Sequence, residues 1–263
     1  MIKAMIRFSA NLSFLFTEVG FPDRFEQAAK AGFEAVEFAF PYPWKKEDLA
    51  EKKAKSGLQQ VLFDLPAGNW VGGDRGIACL PGREGEFRDG VTLAIEYAKA
   101  LNCRLLTCLA GRTPTAVPSK KVRRTLVENL RFASAALEKE GVRLLIEPLN
   151  PLDVPGYYLF GTRNALDLIE EVGHPNLWLQ YDVYHMQIVE GNIMRTIQAN
   201  ISRIAHIQIA DNPGRHEPGS GEINYPNVFR FLDQLGYDGW IGCEFKLRGT
   251  TEEGLCWMRS WRG

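Results

Sequence analysis

Short apolar runs alternate with longer segments of helical period along the whole chain. The first run, residues 6–12, reads IRFSANL; DRFEQAAKAGF follows at helical spacing, with Gly32 as its C-terminal stop. AVEFAF (35–40), the polar helix KKEDLAEKKAKSG and LQQVLFDL (58–65) come next. A Gly-rich loop over 66–85 leads to a helix predicted over about 86–101, then RLLTCLA (104–110), then a long helix over about 119–140 with Ser119 as its N-cap. RLLIEPL (143–149), a helix opening at Thr162, LWLQYDVYH (177–185) and a helix through Ile193 and Ile197 continue the alternation. IAHIQIAD (204–211), a helix from Pro226, WIGCEFK (240–246) and a short helix from Thr251 complete it.

This is a count of eight strand–helix pairs. Strands that are apolar nearly throughout are those covered on both faces, and regular alternation with helices implies a parallel sheet. The expected fold is α/β, a single (β/α)8 TIM barrel over residues 1–263, a length usual for one such barrel. A doubly wound open sheet is the competing topology, but it places a Gly-rich phosphate turn after its first strand, and SFLFTEVG is not one. The loop at 66–85, which carries Arg75, Arg83 and Glu84, is long enough to be a lid or binding loop.

Four oxygen-bearing side chains, Glu147, Asp182, Gln208 and Glu244, stand near the carboxyl ends of four successive apolar runs. They recur at intervals of roughly thirty residues, the length of one βα unit. A closed barrel gathers such ends at one mouth, where reactive residues of this architecture lie. Three carboxylates and an amide facing one point repel unless a cation holds them. An all-oxygen set favours a hard cation, Mg²⁺ or Mn²⁺, over zinc. His185, Arg215, His216 and Lys246 stand beside the set as candidate substrate contacts. Lys246 is two residues after Glu244 and is expected to share its face, looking into the mouth. Arg215 suits a bidentate grip on a carboxylate. The chemistry this suits is proton abstraction next to a carbonyl, with one glutamate removing a proton and a second delivering one to the adjacent carbon. His206 shares the inward face of its run with Gln208 and reads as a buried structural histidine; His174 reads as a surface residue.

Bulk composition narrows the rest. The chain has 31 basic and 32 acidic residues and a net charge of −1, which gives no sign of a nucleic-acid or membrane surface. A nuclease holding several zinc ions needs more than the four histidines present. Five cysteines without a CxxC pair read as free thiols in a reducing compartment. No apolar stretch reaches the roughly 18 residues that span a bilayer, and the N-terminal segment lacks a signal-peptide pattern, so the expected location is cytoplasmic. The expected partner is a small keto acid, and a homo-oligomer is compatible with the outer helices.

RFSANLSFLF, VEFAFPY, LPAGNW, RGIACLPGREGEFRDGV, LIEPLN, QYDVYHMQ, HIQIADNPGRHEPGSGEINY and GWIGCEFK cover essentially the whole chain. In these stretches it resembles the hydroxypyruvate isomerase family of xylose-isomerase-like barrels and, a little less closely, the 2-oxo-tetronate isomerases. The wider superfamily holds its metal through Glu, Asp, His and Glu at these strand ends. Glu147, Asp182 and Glu244 match that pattern, and Gln208 stands where many relatives carry histidine. The resemblance implies that Glu147 and Glu244 are the acid–base pair and that His185, Arg215 and Lys246 contact substrate. The implied reaction interconverts hydroxypyruvate and 2-hydroxy-3-oxopropanoate through an enediolate.

Overall fold

The computed structural model describes residues 6–261. Eight parallel strands close into a barrel in sequence order: β1 Arg7–Asn11, β2 Ala35–Glu37, β3 Gln59–Asp64, β4 Leu105–Cys108, β5 Arg143–Ile146, β6 Leu177–Asp182, β7 Ile204–Ile209 and β8 Trp240–Cys243. β8 pairs with β1, with Arg7 opposite Trp240 and Ala10 opposite Cys243. The helices outside are α1 Arg24–Lys30, α2 Lys46–Ser56, α3 Glu84–Leu101, α4 Ser119–Glu138, α5 Thr162–Val172, α6 Val183–Val189, α7 Ile193–Asn200, α8 Tyr225–Gln234 and the single turn α9 Thr251–Gly254. No helix among the described residues is long and apolar enough to cross a membrane.

The apolar runs place the strands correctly but overstate their length. AVEFAF is a strand only over Ala35–Glu37, and RLLIEPL only over Arg143–Ile146. LWLQYDVYH is not all strand either: β6 ends at Asp182, whose carboxylate accepts from the N–H of Tyr184 (2.7 Å) and caps α6. His185 therefore rides on a helix, and the segment toward β7 holds two helices where the pattern suggests one. Ser119 is the first residue of α4 and not its N-cap; Pro118 holds that place without a side-chain hydrogen bond. A proline there suits a terminus whose first N–H groups lack intrahelical partners anyway.

Strand alternation divides the core in two. Residues facing outward, such as Val36, Leu144, Leu179, Ile207 and Ile241, pack against the helices in the main cluster. Ala35, Leu62 and Leu145 face inward, with Leu105, Trp178 and Trp240 at the starts of their strands, and form a small apolar plug at the amino end of the barrel. Above the plug the interior turns polar: Ser9, Glu37, Thr107, Gln180, His206 and Gln208 are all buried. Aliphatic layers are the usual filling of this fold, so the polar layer is a departure from ordinary barrel packing.

Candidate active site

The polar layer is one hydrogen-bonded chain. Thr107 Oγ1 donates to Gln180 Oε1, Gln180 Nε2 donates to Gln208 Oε1 (2.5 Å), and Gln208 Nε2 donates to Glu37 Oε1 (2.8 Å). Glu37 also accepts from Ser9 Oγ (2.7 Å) and Asn11 Nδ2 (3.2 Å). His206 Nε2 stands 2.9 Å from Glu37 Oε2, an ion-pair distance, although the ring N–H is not aimed as a hydrogen bond requires. Burial by itself lifts the Glu37 carboxyl, but His206, Gln208 and Ser9 overrule it and hold the group below its usual range. A carboxylate sunk in a barrel is tolerable because every side is paired. Gly242 is required beside it: a Cβ there would collide with the Glu37 carboxylate.

The residues at the mouth adjoin this hydrogen-bonded chain. Glu147 follows the last residue of β5, Asp182 ends β6, and Glu244 follows β8. Asp182 and Gln208 are register partners on adjacent strands, so they lie at one level. Glu147, Asp182 and His185 present ligand atoms within 4.8 Å of one another, all buried. Glu244 joins through Arg215, whose Nη2 stands 2.9 Å from Glu244 Oε1 and 3.6 Å from Asp182 Oδ2. The Arg215 guanidinium lies over the rings of Phe14 (4.9 Å) and Tyr184 (5.3 Å), and its Nε is buried without a partner. The mouth thus holds a donor not yet used.

Arg215 is held there by its loop. Asp211 accepts from the N–H groups of Asn212 (2.9 Å), Ile223 (3.0 Å) and Gly219 (2.8 Å), tying the 211–223 segment to the end of β7. Arg215 itself has φ 59°, a left-handed conformation that costs a non-glycine residue of order 1–3 kcal/mol. Its carbonyl accepts from Lys246 N (2.7 Å), and His216 Nδ1 contacts the Lys246 carbonyl (2.8 Å). His216 therefore clamps the loop to the segment after β8, a placement different from the expected one in the pocket. Lys246 is exposed, beyond the carboxylates, while Phe245 between it and Glu244 is buried.

Electrostatics at the mouth follow from crowding acids out of water. Burial first, and then Glu244 and Asp182, raise the Glu147 carboxyl well above its ordinary range. Burial also lifts Glu244 to about 8 against the pull of Arg215, with Asp182 adding to the rise. Asp182 is raised by burial despite Arg215 and its cap N–H groups. His185 is pushed well below the usual imidazole range by burial and then by Arg215, so the ring is neutral. For Arg215, burial opposes the charge, but Glu244, Asp182 and Glu147 outweigh it and keep the guanidinium ionised.

The donor set fits a hard divalent cation. Asp182 Oδ2 is buried without a hydrogen bond, its nearest cationic or N–H groups standing at 3.6 and 3.7 Å. Three carboxyls share the mouth with one guanidinium, and Gln208 Oε1 keeps a lone pair beyond the one used by Gln180. A raised carboxyl contributes stability that is present below its unfolded value and lost as pH rises to its folded value. Metal-free protein should therefore lose Tm between about pH 5 and about pH 8, and Mg²⁺ should raise Tm more at the upper end. Differential scanning calorimetry with and without Mg²⁺ checks this; equal increments at both pH values would remove these carboxyls as the cation site.

Some of the site carries weak signals in sequence. Glu37 is a carboxylate at an inward position of an otherwise apolar run, AVEFAF, which is a signal that could have found it. Asp64, at the end of β3, is lifted to about 8 by burial and then by Glu37, and it adds to the negative field on Glu147. Asn150 and Gln180 carry no pattern of their own. In the 66–85 loop, Arg83 pairs with Asp74 (2.8 Å) and Glu86 (2.7 Å), and Arg75 stacks on Trp70 (4.1 Å), so both arginines serve the loop's own structure. Of the cysteines, Cys79, Cys103, Cys108 and Cys243 are buried and Cys256 is exposed.

Comparison with known proteins agrees with this architecture. The family model for the xylose isomerase-like TIM barrel matches residues 25–261. The chain is 54% identical to hydroxypyruvate isomerase of Escherichia coli (strain K12) over 258 residues, covering 98% of this chain and 100% of that one. It is 46% identical to 2-oxo-tetronate isomerase of Cupriavidus necator over 259 residues, with 98% and 100% covered. A crystal structure described as an AP endonuclease, family 2, from Brucella melitensis superposes with a TM-score of 0.96 at 45% identity, covering 98% and 100%. With its closed barrel and its carboxylates at the ends of strands five, six and eight, the chain belongs to the hydroxypyruvate isomerase family of xylose isomerase-like TIM barrels.

Proposed function

We propose that this enzyme, an isomerase of the aldose–ketose type, interconverts hydroxypyruvate and 2-hydroxy-3-oxopropanoate. The observation that carries the proposal is the pair of carboxyls Glu147 and Glu244, both raised, set around Asp182 and the Arg215 guanidinium. A carboxyl raised above its ordinary range holds a proton more readily and so can give as well as take one. One of the two removes a proton from C3 of hydroxypyruvate, and the C2 carbonyl becomes part of an enediolate. The other delivers a proton to C2, while the hydroxyl proton on O3 passes to O2. One C–H bond breaks, one forms, and the carbonyl has moved from C2 to C3. The charged Arg215, with its unpartnered buried Nε, receives the substrate carboxylate. Lys246 adds positive charge at the rim. Glu147, Asp182, Gln208 and Glu244 would hold Mg²⁺ or Mn²⁺, which supplies polarisation of the carbonyl and hydroxyl oxygens.

Conversion of a 2-oxo-tetronate, a four-carbon sugar acid, is the second reading, supported by the 46% identity to a 2-oxo-tetronate isomerase. Both substrates carry the same reacting carbons next to a carboxylate and differ in length. Side-by-side assays should give the higher kcat/KM on hydroxypyruvate; a higher value on 2-oxo-tetronate assigns the enzyme to the longer acid. A nuclease reading finds no support at the mouth, where His185 is the one histidine in the carboxylate cluster and His206 is engaged with Glu37.

A further inference from the structure

Asn150 is fully buried on the loop after β5, three residues beyond Glu147. Its Oδ1 accepts from the N–H groups of Leu152 (3.0 Å) and Asp153 (2.8 Å), which fixes the amide with Nδ2 on the opposite side. That Nδ2 lies 2.7 Å from His185 Nδ1, and the backbone N–H of Asn150 points to the same nitrogen at 3.1 Å. Two N–H donors meet one ring nitrogen, so Nδ1 must offer the lone pair. A neutral imidazole has a single such lone pair, and the proton is then on Nε2. Nε2 faces the mouth, 3.7 Å from Asp182 Oδ2, which is too far for a hydrogen bond.

Building on the isomerase reading, we infer that Asn150 is a positioning residue that locks His185 as an Nε2–H donor to a substrate oxygen. His185 sits among ligand-type atoms but has no lone pair to give a metal, so the cluster with Glu147 and Asp182 offers carboxylate ligands only. Its work is to donate to the oxygen on which charge develops when the C3 proton leaves, an effect whose loss costs about 10²–10³-fold in kcat. Asn150→Asp tests this with almost no change of shape. One carboxylate oxygen keeps the two turn N–H groups, and the other, an acceptor in place of the Nδ2–H donor, faces Nδ1 at the shorter of its two contacts and draws the ring proton to it. A lone pair replaces the donor at the mouth.

The full chain, labelled with ¹⁵N-histidine in Mg²⁺ buffer, reports the tautomer by ¹H–¹⁵N correlation, the His185 signal being assigned by its loss in His185→Gln. The wild type should show an unprotonated Nδ1 and a protonated Nε2, and Asn150→Asp should exchange them. Asn150→Asp should lower kcat by about 10²–10³-fold with a smaller change in KM, and the loss should vanish in the His185→Gln background. A wild-type spectrum with the proton on Nδ1 overturns the inference, and needs no variant to fold. An unchanged kcat in Asn150→Asp, or an equal loss in the His185→Gln background, overturns it as well. The expected spectrum from a wild type that turns over neither hydroxypyruvate nor 2-oxo-tetronate would sink the isomerase reading and leave the tautomer standing.

Discussion

Glu147→Gln and Glu244→Gln should each lower kcat on hydroxypyruvate by at least about 10³-fold, because an amide of the same shape neither accepts nor returns a proton. The two losses should not multiply in the double variant, since proton removal and delivery are halves of one transfer. Folding should survive. Both carboxyls are raised in the folded state, so ionising them near neutral pH costs stability, and a neutral amide removes that cost. Glu244→Gln gives up the 2.9 Å charge-assisted contact with Arg215, so its gain in Tm should be smaller than that of Glu147→Gln. Steady-state kinetics with a thermal melt on each variant check both parts. Near-normal turnover in both variants refutes the acid–base assignment.

Exhaustive chelation should lower turnover by at least about 10²-fold, in keeping with the several kcal/mol a cation supplies to a developing enolate. Mg²⁺ or Mn²⁺ should restore it better than Zn²⁺, because Glu147, Asp182, Gln208 and Glu244 offer oxygen alone. Asp182 Oδ2 is the physical ground for this expectation: it is buried without a hydrogen bond, and the Arg215 guanidinium comes no nearer than 3.6 Å, which leaves room for closer charge neutralisation by a cation. Full activity in chelated protein, with metal content measured below stoichiometry, would end the case for a metal.

The gathering of acids at one mouth was legible because of how barrels are built. Apolar runs mark strands, strands in a closed parallel barrel share one carboxyl end, and polar residues at those ends must face one another. Glu147, Asp182 and Glu244 could be found from that rule alone. Local geometry beyond the strands was less legible. Asp182 turns its carboxylate onto the N–H of Tyr184 and starts α6, which moves His185 from an expected strand onto a helix. Period two places Lys246 on the face of Glu244, yet the chain has already left the sheet at Cys243, and Lys246 ends up exposed. Asn150 left no trace because its partner stands 35 residues away.

The sequence by itself determined the eight-fold alternation, the closed parallel barrel and the ring of acids at its mouth, since each follows from period and spacing within short windows. Tertiary structure alone decided what those acids face. It sank Glu37 into the barrel beside His206 and Gln208, and it brought Arg215 between Asp182 and Glu244. It also closed Asn150 on His185 Nδ1. The physical reason is that pKa, tautomer and ion pairing depend on burial and on neighbours drawn from distant strands, and barrel closure sets both.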